Sequence, residues 1–146
     1  DVSEYKTDLI RENLERMNCR NVEVQVYDAT VHDPEKETYA DVVLMDVPCS
    51  GLGVMGKKRD IKYHVTPESL RSITELQKQI VEAGWQYVKP GGILLYSTCT
   101  IHRGENQEMA AWITEKFPFV LEEERQLLPG TEETDGFYFA RLRRKA

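Results

Sequence analysis

Two cysteines lie in matching contexts. In "MDVPCSGLG", Met45 to Gly53, an apolar run ends in Asp46 and passes through Pro48 and Cys49 to two glycines. In "LLYSTCT", fifty residues later, a second apolar run ends in Ser97, Thr98, Cys99 and Thr100. A thiolate is a strong nucleophile, and a nucleophilic side chain divides one difficult step into two easier ones. Taken singly, each cysteine also suits a small buried hydrophobe, and Asp46, Pro48 and Gly51 each suit an ordinary turn. A pair of thiols at two strand ends is harder to read as packing, and the reading adopted is that both face one substrate. Cys19, in "MNCRN" at a helix end, is structural or incidental.

Placing two such residues together takes a sheet. "DVVLMD" and "GILLYST" are nearly unbroken apolar runs, the pattern of strands buried on both faces of a parallel sheet. "NVEVQVY" alternates Val22, Val24 and Val26, as in a strand with one face partly covered. Ser3 caps a helix to about Met17, with Leu9, Ile10, Leu14 and Met17 on one face. Thr66-Pro67 starts a second helix, with Leu70, Ile73, Leu76, Ile80 and Val88 at helical spacing until Lys89-Pro90-Gly91-Gly92 breaks it. A third helix is expected from Glu105 to Lys116. "FVLEEERQLL" and "GFYFARLRR" then read as two closing antiparallel strands. The order is that of an α/β fold. Asp28, Asp46, Cys49 and Ser97 to Thr100 all fall at carboxyl ends of strands, the rim where open parallel sheets bind ligands.

The totals narrow the class. The chain has 146 residues, 40% hydrophobic and 30% charged, enough for one domain with a real core. No apolar run approaches the roughly eighteen residues of a membrane span, and the charged start "DVSEYKTDLIREN" is not a signal peptide. Three widely spaced cysteines argue against a disulfide framework or a zinc site, so no metal is expected, and they suit a reducing cytoplasm. They also lack the C-x-x-C spacing of thiol redox proteins. A net charge of −6 does not advertise a nucleic-acid binder, yet "GKKRDIK" and "RLRRK" offer local phosphate-contacting surfaces.

"DVPCSGLGV" and "YSTCTIHRGEN" together closely resemble two signature motifs of the RNA cytosine-5 methyltransferases, most of all the bacterial Sun/Fmu type that modifies small-subunit ribosomal RNA. "KKRDIKYHVTPESL" is similar to the intervening segment, with Arg59 where the family usually has proline, and "QLLPGTEETDGFYFARLRR" looks like the closing hairpin. The resemblance implies a partial Rossmann-like, class I S-adenosylmethionine-dependent methyltransferase sheet, mainly parallel with a C-terminal antiparallel hairpin. It implies that residues 1–146 are the C-terminal portion of a catalytic domain whose first strand, glycine-rich loop and N-terminal RNA-binding region lie elsewhere in a longer enzyme. The retained strands would be a contiguous half of the sheet, with "NVEVQVY" parted from its usual neighbours.

By the same resemblance Cys99 is the nucleophile that adds to carbon 6 of a cytosine, and Cys49 helps remove the carbon 5 proton and release the product. Asp46 lies by the ring nitrogen or the methionine end of the cofactor. Asp1, Asp28, Asp46 and Pro48 contact S-adenosylmethionine, with Asp1 on the ribose hydroxyls and Asp28 on the adenine. Lys57, Lys58, Arg59 and Lys62 are the local candidates for RNA phosphates, in contacts that carry no sequence information. Two other readings stay open. A DNA cytosine-5 methyltransferase would make Cys49 the attacker, and a non-catalytic RNA-binding or assembly module would use the fold without the chemistry.

Overall fold

The computed structural model describes residues 1–131 and 133–146, with backbone alone at Lys62. Helix α1 spans Glu4–Arg16, with Ser3 at its N-cap. Strand β1 is Ala40–Asp46, followed by the short helix α2, Ile61–His64, and the long helix α3, Pro67–Gly84. Strand β2 is Val88–Thr98, helix α4 is Gln107–Lys116, and β3, Phe119–Leu127, and β4, Phe137–Arg144, close the fold.

The four strands form one mixed sheet in the order β1-β2-β4-β3. β1 runs parallel to β2, β4 is antiparallel to β2, and β3 is antiparallel to β4. This is the α/β half-sheet that the resemblance implies, with its hairpin at the C-terminal side. Parallel pairing is confined to β1 and β2, because "NVEVQVY" joins no ladder among the described residues. Its alternation fits a pleated surface, but strand propensity needs a partner to be realised. Val22 and Val26 are each half exposed, and the segment is held by separate contacts: the Arg11 guanidinium donates to the Val24 carbonyl at 3.2 Å, and the Tyr27 N–H donates to the Asp1 carbonyl at 3.0 Å.

Helix α3 begins as its sequence dictates. Thr66 Oγ1 accepts the Ser69 N–H at 3.1 Å, Ser69 Oγ accepts the Thr66 N–H at 2.8 Å, and Pro67 occupies the first turn. The helix stops at Gly84, four residues short of the expected Val88. A Cβ at position 84 would press on Met45 of β1, so the close approach of helix to strand fixes a glycine there. A single 3₁₀ turn, Trp85–Tyr87, then turns the chain, and Val88 opens β2. Pro90, Gly91 and Gly92, read from sequence as a helix breaker, lie inside β2 where the ladder to β1 jumps from Ala40–Val88 to Val42–Ile93. Such an irregularity is where a strand tolerates proline.

One face of the sheet carries the core. Leu94, Tyr96, Tyr138, Ala140 and Leu142 are fully buried there beneath Val81 of α3 and Met109, Ala110 and Ile113 of α4. Burying roughly five such aliphatic and aromatic side chains supplies on the order of 10 kcal/mol of gross stabilisation. The opposite face is open at β1, where Val42 and Leu44 are exposed, so β1 is not covered on both faces as its apolar run suggested. The apolar side of α1 is likewise uncovered, with Leu9, Ile10 and Met17 exposed. The third helix begins at Gln107, and Glu105 belongs instead to a 3₁₀ turn, Arg103–Glu105, of which it is the buried residue.

Candidate active site

β1 and β2 are adjacent and parallel, so Asp46 and Ser97 emerge side by side at their carboxyl ends. Ser97 Oγ donates to Asp46 Oδ1 at 3.0 Å, and the Val47 N–H donates to the Ser97 carbonyl at 3.2 Å. From this end both chains turn outward, and Cys49 and Cys99 meet with their sulfurs 3.0 Å apart. Both are free thiols of intermediate exposure. Cys49 also lines a cleft of about 250 Å³ with Asp60, Ile61 and His64.

The loop after Cys49 is fastened to the second cysteine. The Gly53 N–H donates to the Cys99 carbonyl at 3.1 Å, and the Gly53 carbonyl accepts the Gly136 N–H at 2.8 Å. A Cβ on Gly53 would collide with the Gly136 carbonyl and lie 2.8 Å from the Cys99 oxygen. Gly51 turns the chain with φ +71, in the left-handed region that glycine occupies without strain.

Burial pushes the Cys49 thiol up to about 12, with the hydrogen bond to Cys99 adding to the effect. Cys49 therefore holds its proton at neutral pH.

The predicted cofactor residues also converge. Asp1, Asp28, Asp46 and Pro48 line one cavity of about 480 Å³, with Leu76 and Ile80 of α3 among its apolar walls. The size is that of a small-molecule site. Three carboxyl groups against aliphatic walls suit a ligand with hydroxyl and amino donors on a flat apolar body. Asp28 Oδ1 accepts the Thr30 N–H at 2.9 Å and the Thr30 hydroxyl at 2.7 Å. These bonds, the backbone one first, hold its carboxyl below the usual range. Asp1 is held through Oδ1, which accepts the Ser3 N–H at 2.9 Å. Pro48 links this cavity to the thiols, since Cys49 follows it directly.

The basic candidates are less uniform. Lys57 is paired with Asp135 at 2.6 Å, Lys58 and Arg59 are exposed, and the Lys62 side chain lies outside what is described. Cys19 is exposed at the end of α1. Among the described residues, no three His, Cys, Asp or Glu side chains are grouped to hold a metal, and no helix is long and apolar enough to cross a membrane.

Sequence reasoning missed a buried polar group beneath the thiols. Glu105 and Gln77 are fully buried, and Ser50 and Thr100, each one residue beyond a cysteine, bond to one another through their hydroxyls at 2.8 Å. The readable signal was Gln77, a polar residue four positions after Ile73 and four before Val81 on the apolar stripe of α3.

Comparison with known proteins bears on the same architecture. Ribosomal RNA small subunit methyltransferase B of Vibrio vulnificus (strain YJ016) is 36% identical over 157 residues, covering 100% of this chain and 36% of that protein. A solved structure described as PH0851 superposes with a TM-score of 0.91 at 30% identity, over 97% of this chain and 35% of the other. NSun6 from Pyrococcus horikoshii, solved with SFG, gives 0.85 at 25% identity, over 100% and 40%. The chain thus spans about a third of the length of the curated relatives it matches. The family described as 16S rRNA methyltransferase RsmB/F matches residues 1–143, and the chain belongs to that family.

Proposed function

We propose that this chain is the cysteine-bearing part of a cytoplasmic RNA methyltransferase that methylates carbon 5 of a cytosine in small-subunit ribosomal RNA, acting together with the further length its relatives possess. The observation that carries the reading is the 3.0 Å approach of the Cys49 and Cys99 sulfurs at the ends of neighbouring parallel strands.

Carbon 5 of cytosine is a weak nucleophile, and addition of a thiolate to carbon 6 changes that. The Cys99 sulfur bonds to carbon 6, and the electron pair of the ring's 5,6 double bond moves toward carbon 5. Asp46 shares a proton with the ring nitrogen and so stabilises the adduct. S-adenosylmethionine, when bound in the cavity lined by Asp1, Asp28, Asp46 and Pro48, supplies the methyl group as an electrophile. Release requires loss of the carbon 5 proton. The carbon–hydrogen pair then re-forms the double bond, and the sulfur–carbon 6 pair returns to Cys99.

Cys49 suits that last step by its position, its sulfur 3.0 Å from that of Cys99. There it assists removal of the carbon 5 proton. Lys58 and Arg59, and Lys57 after release from Asp135, would meet RNA phosphates beside the cleft.

The test is nucleoside analysis of ribosomal RNA after incubation with S-adenosylmethionine and the full-length enzyme carrying this chain. The expected product is 5-methylcytidine, absent from the Cys99→Ala reaction. A methyl group on another ring position or on ribose would refute the assignment.

A further inference from the structure

Glu105 has no part in the chemistry above and no hydrogen bond to either thiol among the described residues, yet it is fully buried and bonded to Ser50, the residue after Cys49. Its Oε2 accepts the Ser50 N–H at 2.9 Å and the Gln77 Nε2–H at 3.0 Å. Its Oε1 accepts the Ser50 hydroxyl at 2.5 Å. Gln77 Nε2 donates also to the Pro48 carbonyl at 2.8 Å, and the Tyr96 hydroxyl lies between both ends of the group, its single proton shared between the Glu105 carbonyl at 2.8 Å and Gln77 Oε1 at 3.2 Å. The main chain is therefore gripped on either side of Cys49, at Pro48 and at Ser50. Through the Ser50–Thr100 hydroxyl contact the grip extends to the residue after Cys99.

We propose that Glu105 is the positioning residue that fixes the spacing of the two thiols, acting through Ser50 and Gln77. This rests on reading Cys49 and Cys99 as the reacting pair. A buried polar group is worth keeping only when its partners are satisfied, and here Glu105 is the acceptor on which the Ser50 N–H, the Ser50 hydroxyl and one Gln77 amide hydrogen converge. Removing it takes the acceptor from the Ser50 N–H and from that one Gln77 hydrogen, the other keeping the Pro48 carbonyl, and the Cys49 loop lowers the cost by moving outward toward water. Hydrogen bonding, not charge, is what the arrangement requires. A glutamine can keep an oxygen toward Ser50 N and Gln77, while its amide donates to the Ser50 hydroxyl and to His102 Nδ1. That nitrogen is buried without a hydrogen bond among the described residues and lies 3.4 Å from Oε1.

The spacing can be read without any turnover. Phenylarsine oxide condenses with two adjacent thiols, forming two As–S bonds and releasing one water, and it holds tightly only when both sulfurs engage. In the 146-residue chain carrying Cys19→Ser, Glu105→Leu should bind the arsenical about tenfold more weakly, the scale set by buried donors left without an acceptor. Glu105→Gln should stay within about threefold of the parent because it keeps those bonds. Ile113→Val, a comparable loss of stability in the core of α4, should leave the affinity unchanged. Should Glu105→Leu fail to fold, Ser50→Ala supplies the same comparison with an expected loss of about threefold. Undiminished arsenical affinity in Glu105→Leu or Ser50→Ala, or an equal loss in the Ile113→Val control, would overturn the proposal. Arsenical binding reports on sulfur spacing alone, so a failure of methyl transfer leaves this result standing, and the reverse holds too.

Discussion

At the scale of single residues, the surroundings of Cys49 hold its thiol protonated. Cys49 is pushed up to about 12 by burial and by its bond to Cys99, so almost none of it is thiolate at neutral pH. Because alkylating agents react with thiolate, Cys49 modification by iodoacetamide should climb about tenfold per pH unit above neutrality, with no plateau before the region of 12. Peptide mass spectrometry of the alkylated chain measures this, and a plateau near pH 8 or 9 would contradict the assigned environment. Cys49, Cys99 and Asp46 were legible in the sequence because each follows an apolar strand run. Glu105 was not, since a glutamate two residues before a helix ordinarily faces water as a helix-start charge. Its burial depends on Gln77, Ser50 and Tyr96, which come from three other parts of the chain.

At the scale of elements, the site is a consequence of two parallel strands ending in register and of one loop folding back between them. Gly53 is the fastening point, packed between the Cys99 carbonyl and Gly136 of the β3–β4 connection. Gly53→Ala should cost about 1–3 kcal/mol through forced separation of these segments. Urea unfolding checks the stability, and loss smaller than about 0.5 kcal/mol would show that the loop gives way easily. Elements whose limits depend on local chemistry were readable: Ser3 and Thr66-Pro67 both cap the helices they announce. Elements whose fate depends on distant partners were not. "NVEVQVY" has the composition of a strand but joins no ladder among the described residues. The Lys89-Pro90-Gly91-Gly92 stretch looks like a helix end, yet it is an irregular strand entry because β1 accommodates the jump in register. The apolar run of β1 likewise predicted two covered faces where the structure covers one.

At the scale of the whole molecule, net charge and function pull in different directions. The chain carries −6 overall, so RNA contact would depend on local basic segments such as the loop after Cys49. Each phosphate neutralised on single-stranded RNA contributes about 0.7 to the slope of log affinity against log salt. Lys58→Ala should therefore flatten that slope by about 0.7 and weaken all RNA sequences alike, as fluorescence anisotropy over a salt series would show. A sequence-selective loss with an unchanged slope would exclude a phosphate role for Lys58. The central claim, that one thiol attacks the base and its neighbour releases it, has a more direct test. RNA containing 5-fluorocytosine blocks proton loss at carbon 5 and traps the covalent complex. With the full-length enzyme and S-adenosylmethionine, Cys49→Ala should still form the trapped adduct and Cys99→Ala should form none. Adduct formation by Cys99→Ala, or its loss in Cys49→Ala alone, would contradict the account.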